Sequence, residues 1–339
     1  MSSDKILKAA KAVVKGNSQS PKRARWSLSA SSFTLSEGDQ EICIHIEGDY
    51  AEKIGADQQG IDGLELALLG ECSGVLVRTK PAWETEPQTG LDKCGHLSPE
   101  DWKRVEWVAL ATDQKSTRYQ LGGVCFDGRQ VVGTDGRRLH VADLGLPFAR
   151  SNNSIVSGRT VGAVASLLKV FGVKEFFLKF SDFQVEIYCE FFHFKSRLVE
   201  GSYPKWESVC PADSSEFSRA LLGKDLIGVC KKEEKIAALK NKGEKNDDLL
   251  VIPKIAVGDF DSLHWQRVDC RFLREALEGL LTESLNVVAR VPDCVKLPVV
   301  LDGGDLRAVI MPLGKLCGGP LDESKRTYNE VLASSSAGA

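Results

Sequence analysis

The chain has 339 residues, 42% hydrophobic and 27% charged, an ordinary globular composition with room for two or three domains, each burying its own core. Its 44 basic and 47 acidic side chains leave a net charge of −3, which argues against a protein that coats nucleic acid by bulk charge. It does not exclude one that gathers its cations on a single surface. No apolar run approaches the roughly 20 residues that span a bilayer, and the start, Met-Ser-Ser-Asp-Lys-Ile-Leu-Lys, lacks the apolar core of an export signal.

The spacing of Leu7, Ala10 and Val14 predicts a helix over Asp4–Lys15, with Lys5, Lys8, Lys11 and Lys15 forming a lysine stripe on one face. Alternating strands follow at Trp26–Leu35 and Glu41–Glu47, joined by a turn around Glu37-Gly38-Asp39. Between about Asp49 and Gly63 no apolar periodicity supports a helix. Leu64–Leu69 and Gly74–Thr79 read as strands, and 80–97, rich in Pro, Gly, Thr and charge, as a connector.

A second unit begins at Ser98-Pro99-Glu100-Asp101, where an N-cap, a first-turn proline and two acids open a helix running to about Asp113. It buries Trp102, Val105 and Val108 or Ala109. Strands Arg118–Phe126 and Gln130–Thr134 flank Asp127-Gly128, a hairpin signal. A helix over Thr160–Phe171 stops at Gly172, and strands at 175–181, 183–190 and 191–199 follow. A third unit repeats the theme: a helix at Lys224–Leu239, a polar loop at 240–248, a strand at Leu249–Val257, a helix at Cys270–Leu281, and strands at 285–291, 295–301 and 306–312. A period of roughly 100 residues marks duplicated domains, because solenoid repeats run only about 20–50 residues.

Chemistry is sparse. The ten cysteines are scattered singly without a Cys-x-x-Cys pair, which favours reduced thiols over disulfides or zinc. The five histidines are dispersed, and no His-x-x-x-His, Gly-x-Ser-x-Gly or Walker-type loop occurs. No catalytic residue, metal or cofactor is expected.

Four segments carry a resemblance: Arg118-Tyr119-Gln120-Leu121-Gly122-Gly123, Gly133-Thr134-Asp135-Gly136-Arg137-Arg138-Leu139-His140, Leu198-Val199-Glu200-Gly201-Ser202-Tyr203-Pro204, and Ile310-Met311-Pro312-Leu313. In order and approximate spacing they resemble the bacterial sliding clamp, the beta subunit of DNA polymerase III, over nearly all of 4–313. The resemblance implies an α+β clamp fold of three similar domains, each with helices packed on antiparallel sheet. These would be 1–97 (shortened), 98–211 and 212–313, with 314–339 a disordered tail.

The resemblance also implies a non-catalytic processivity factor: a homodimeric ring, cytoplasmic and nucleoid-associated, with helices lining its interior. Its partners would be duplex DNA, bound without regard to sequence, and peptides of DNA polymerase and the clamp loader. The peptide cleft would comprise Leu121, Thr134, Gly136, Arg137, Arg138, Leu139, Pro211, Phe272, Val309, Met311, Pro312 and Leu313. DNA contacts would come from Lys5, Lys8, Lys11, Lys15, Arg23, Arg25, Lys103, Arg104, Lys231, Lys232 and Arg271. Where the family has His, this chain has Arg137. The short first domain leaves a second reading open, a clamp-like interaction module that closes no ring.

Overall fold

A computed structural model describes residues 3–14, 25–28, 32–45, 47–48, 58–59, 74–75, 94–145, 154–211, 217–243, 252–259, 264–292 and 297–313. Two compact units emerge: Met1–Val131 with Leu144–Tyr203, and Val132–Asp143 with Pro204–Ala339.

The first unit contains α1 (Ser3–Val14), β1 (Arg25–Leu28), β2 (Ser32–Glu37), β3 (Gln40–His45), β4 (Glu47–Gly48), β5 (Gln58–Gln59), β6 (Gly74–Val75), β7 (Cys94–Leu97), α2 (Pro99–Ala109) and β8 (Gly123–Asp127). The chain passes into the second unit within β9 (Gln130–Thr134), runs through β10 (Arg138–Asp143), and returns for β11 (Ile155–Ser157), α3 (Gly158–Phe171), β12 (Phe176–Phe180), β13 (Gln184–Tyr188) and β14 (Phe192–Arg197).

Strict alternation of apolar residues gives the first unit an antiparallel sheet in the order β5-β1-β2-β3-β14-β13-β12-β7. Phe33, Leu35, Ile42, Ile44, Phe176, Leu178, Val185, Ile187, Phe192 and Phe194 are all fully buried along its strands. At its centre β3 pairs with β14, Ile42 opposite Phe194 and Ile44 opposite Phe192. Beside that seam Gln40 Nε2 donates to Thr160 Oγ1 at 3.1 Å, and the Thr160 and Ser196 hydroxyls meet at 2.8 Å, a short polar chain within the core.

The helices α1 and α2 both pack on α3. The Trp102 indole N–H donates to the Val161 carbonyl at 3.2 Å, and its ring meets Phe176 edge-on, which locks α2 to α3 and the sheet. Ser98 caps α2, as its sequence implied, and the structure adds a reciprocal bond from Asp101 that makes a capping box.

The second unit contains β10 with β15 (Phe217–Leu222), α4 (Asp225–Gly243), β16 (Lys254–Asp259), β17 (His264–Asp269), α5 (Cys270–Glu283), β18 (Val287–Pro292), β19 (Val299–Gly303) and β20 (Leu306–Ile310). Antiparallel pairing runs β10-β20-β19-β18-β15, while β16 and β17 form a separate two-stranded ribbon. The apolar stripe Phe272, Leu273, Ala276, Leu277, Leu280 on α5 is buried against β18, β19 and β20, and α4 packs on α5.

Several expectations shift. Residues 94–97 are an edge strand paired with β12 rather than the end of a connector. The strand expected over 118–126 opens as a 3-10 turn, Tyr119–Gly122, and becomes extended only at Gly123. The helix expected to stop at Leu239 continues to Gly243, into the expected loop. The strands β10, β11, β15 and β17 are not among those expected from sequence. The region expected to lack a helix, 49–63, the strand 64–69 and the tail 314–339 lie wholly or largely outside the described residues.

Candidate functional site

The turn between β9 and β10 is built by its own side chains. Asp135 Oδ1 accepts from the backbone N–H of Arg137 at 2.8 Å and of Arg138 at 3.0 Å. Thr134 Oγ1 donates to the Arg138 carbonyl at 2.6 Å and accepts from the Gly136 N–H at 3.1 Å. Gly136 sits at φ +85°, and a Cβ added there would meet nothing within 4 Å, so backbone conformation rather than crowding calls for glycine.

Arg138, its side chain only 6% exposed, leaves this turn toward α5. Its Nε donates to Asp135 Oδ2 at 3.1 Å, its terminal nitrogen pairs with Glu275, and its Cζ lies 4.3 Å from the centre of the Phe272 ring. The charges continue across the helix pair. Arg274 donates to Glu234 on α4 at 2.7 Å and to Glu278 at 2.9 Å, and Lys231 meets Glu278 at 3.0 Å. The hydrogen-bonded Glu234 carboxylate holds the Arg274 pKa above its ordinary value.

The segment after β20 runs beside the turn. The Met311 N–H donates to the Arg137 carbonyl at 2.9 Å, and the Leu313 N–H to the Arg267 carbonyl at 2.8 Å. Opposite each other in the ladder, Leu139 and Val309 are each 2% exposed, and Phe272 is also buried, so these three are floor rather than rim. Met311 is 40% exposed; Gly136 and Arg137 are exposed, while Thr134, Pro211, Pro312 and Leu313 are half-buried. All the expected cleft residues but one fall in the second unit. Leu121 belongs to the first, buried in the 3-10 turn with its carbonyl accepting from the Asp113 N–H at 2.8 Å.

The expected DNA-facing cations divide by surroundings. Lys8 and Lys11 are exposed on α1 and Lys5 is half-buried; Arg25 is exposed on β1. Lys103 pairs with Glu100 at 2.8 Å on α2, beside a half-buried Arg104. On α4, Lys232 is exposed and Lys231 is tied to Glu278. Arg271 is held elsewhere: Asp269 caps its backbone N–H at 2.8 Å, and its Cζ lies 5.1 Å from the Phe272 ring centre. Lys15 and Arg23 lie outside the described residues. Sequence reasoning missed Asp135 and Glu275 as partners of Arg138. Only the turn pattern around Asp135 carried a signal for either.

One further polar cluster lies on the first unit's sheet. Glu186 accepts from Tyr188, from Gln184 at 2.9 Å and from His193 at 3.0 Å. Burial alone would raise the Glu186 pKa, yet these hydrogen bonds outweigh it and leave the carboxyl below its usual range. Burial pushes the His193 pKa down despite Glu186. No group of three or more His, Cys, Asp or Glu among the described residues is placed to hold a metal ion.

A two-unit α+β fold with antiparallel sheets, helix layers and a turn-framed apolar floor defines a clamp-fold protein. The sequence profile of the DNA polymerase III beta subunit central domain matches residues 98–205. Over those residues the chain is similar to the beta-clamp family. The fold is shared with the Helicobacter pylori beta clamp bound to a DNA ligase peptide, at 17% identity and a TM-score of 0.67 over 93% of this chain and 99% of that one. It is shared as well with the Bacillus subtilis DNA polymerase sliding clamp (16% identity, TM-score 0.64, 93% and 98% covered). The Thermotoga maritima DNA polymerase III beta subunit is a third (15% identity, TM-score 0.63, 92% and 97% covered). No curated protein sequence matches the chain.

Proposed function

We propose that the chain is a DNA sliding clamp: a head-to-tail homodimeric ring around duplex DNA that tethers polymerase and other replication or repair proteins through the cleft at the β9–β10 turn. Three domains, 1–97, 98–211 and 212–313, would build each half-ring, and no step of chemistry is assigned to any residue. The observation that carries this reading is the central-domain match, whose signature segment 133–140 folds as a self-braced turn over an apolar floor. A shallow apolar floor edged by a few polar groups suits short linear peptides with one or two apolar anchors. The Helicobacter pylori relative, described with a DNA ligase peptide bound, fits the same use.

The second reading, an interaction module that keeps the cleft without a ring, has its own support. In the middle repeat three strands, β8, β9 and β10, lie between α2 and the strand before α3; in the third repeat only β16 is described between α4 and β17. Light scattering after gel filtration at micromolar concentration separates the two. A mass near twice 37.0 kDa, with retention on nicked circular DNA that disappears on linearisation, supports the clamp. A monomer that slides off circular DNA sinks the ring and leaves the module.

A further inference from the structure

We propose that Arg137 and Arg271 make this cleft selective for acidic partners: an extended segment with a leucine or phenylalanine anchor flanked by aspartate or glutamate. The proposal rests on the cleft reading above and adds the chemistry of its occupant.

Its first support is how the local charges are paired. Arg138 is saturated by Asp135 and Glu275, and Arg274 by Glu234 and Glu278. Their carboxylates are thereby neutralised. Arg137 and Arg271 are both exposed, and neither guanidinium meets a carboxylate among the described residues. Two uncompensated cations therefore stand at the edge of an apolar floor whose acids are already engaged.

Their placement is the second support. Arg137 is fixed through its backbone, with the N–H held by Asp135 and the carbonyl by the Met311 N–H, so its side chain springs from a braced turn next to the most exposed apolar rim residue. Arg271 is fixed by the Asp269 cap at the start of α5, and its guanidinium shares the Phe272 ring with that of Arg138. Arg137 is thus preorganised by its backbone and Arg271 by the buried Phe272 ring, which lowers the entropic cost of using them. A peptide carbonyl or amide satisfies neither charge. A carboxylate beside the anchor does, by a charge-assisted contact.

Exposed pairs of this kind contribute modestly, so each arginine should account for a roughly two- to five-fold preference. The test uses the full chain and three fluorescein-labelled decapeptides that share one leucine and one phenylalanine anchor. Their flanks are Asp/Glu, Asn/Gln or Lys, and binding is read by anisotropy. The expected order is acidic, then amide, then basic. The acidic advantage should shrink at about 0.5 M salt, where screening shortens to a few ångströms, and in Arg137→Gln and Arg271→Gln. Equal affinity for the acidic and amide peptides overturns the proposal and leaves the cleft standing, as does an acidic preference that both variants retain. No binding by any peptide overturns the cleft reading along with it.

Discussion

Arg138 is the residue on which the second unit's polar interior turns. Its guanidinium is nearly dry, and its two carboxylate partners, Asp135 and Glu275, are only 14% and 17% exposed. Removing the cation strands two poorly hydrated anions, and it also uncovers one face of Phe272. Breaking one side of a buried ion pair typically costs about 3–5 kcal/mol. Partial exposure of the partners and the nearby Arg274, 3.5 Å from Glu275, reduce this, so Arg138→Ala should cost about 2–4 kcal/mol. The urea midpoint should fall at unchanged slope. The pair Arg138→Met with Glu275→Gln, which deletes opposite charges together, should recover part of that stability. A double variant as unstable as Arg138→Ala would contradict this view of the cluster.

Among the elements, α3 and β8 show two different demands for glycine. Gly172 ends α3 in the left-handed region at φ +64°, its N–H returning to the Leu168 carbonyl, with nothing within 4 Å of an added Cβ. Gly172→Ala therefore costs conformation alone, about 1 kcal/mol. Gly123 has ordinary extended dihedrals, yet an added Cβ would lie 2.6 Å from the Val156 carbonyl oxygen and 2.9 Å from Ile155 Cγ2. Gly123→Ala must push β8 away from β11, at a cost of about 2–3 kcal/mol as an overpacking change. Chemical denaturation of the two variants should rank Gly123→Ala as the more damaging; the reverse order would mean β11 yields freely.

The same elements show what was legible. The Gly172 stop and the Ser98-Pro99 start are local chemistry and read directly from sequence. By contrast, β7 exists because it pairs with β12, some eighty residues on, and Cys-Gly-His-Leu carries no strand pattern of its own. In β17 the core position beside Val268 is Gln266, buried with its Nε2 donating to the Pro292 carbonyl at 3.1 Å, so a polar letter hides a strand. Residues 119–121 mimic alternation because exposed Tyr119 and buried Leu121 suit a 3-10 turn equally well. At the candidate site the turn signature is local, but Glu275 reaches Arg138 from 137 positions away. No spacing rule announces such a contact, and the seat of Arg271 over the Phe272 ring is hidden from the sequence in the same way.

At the scale of the whole molecule, the proposed clamp function requires a chain of net charge −3 to hold a polyanion. Its acids must be neutralised or turned elsewhere, and in part they are neutralised: Glu100 by Lys103, Glu278 by Lys231 and Arg274, Asp302 by Arg290 and Arg307. Cations exposed on helices, Lys8 and Lys11 on α1 and Lys232 on α4, would then dominate contact with phosphates. Such contact reads no bases, so affinity for two duplexes of unrelated sequence should agree, and log K should fall linearly with log salt. Deleting one phosphate contact should flatten that slope by about 0.9. Lys8→Gln with Lys11→Gln should remove up to about two contacts, and Lys232→Gln about one, by that measure. Lys231→Gln should remove less, because Glu278 already competes for its ammonium. An unchanged slope in the double lysine variant would show that α1 does not face DNA. Equal flattening by Lys231→Gln and Lys232→Gln would show that the Glu278 pair is too weak to hold its cation back.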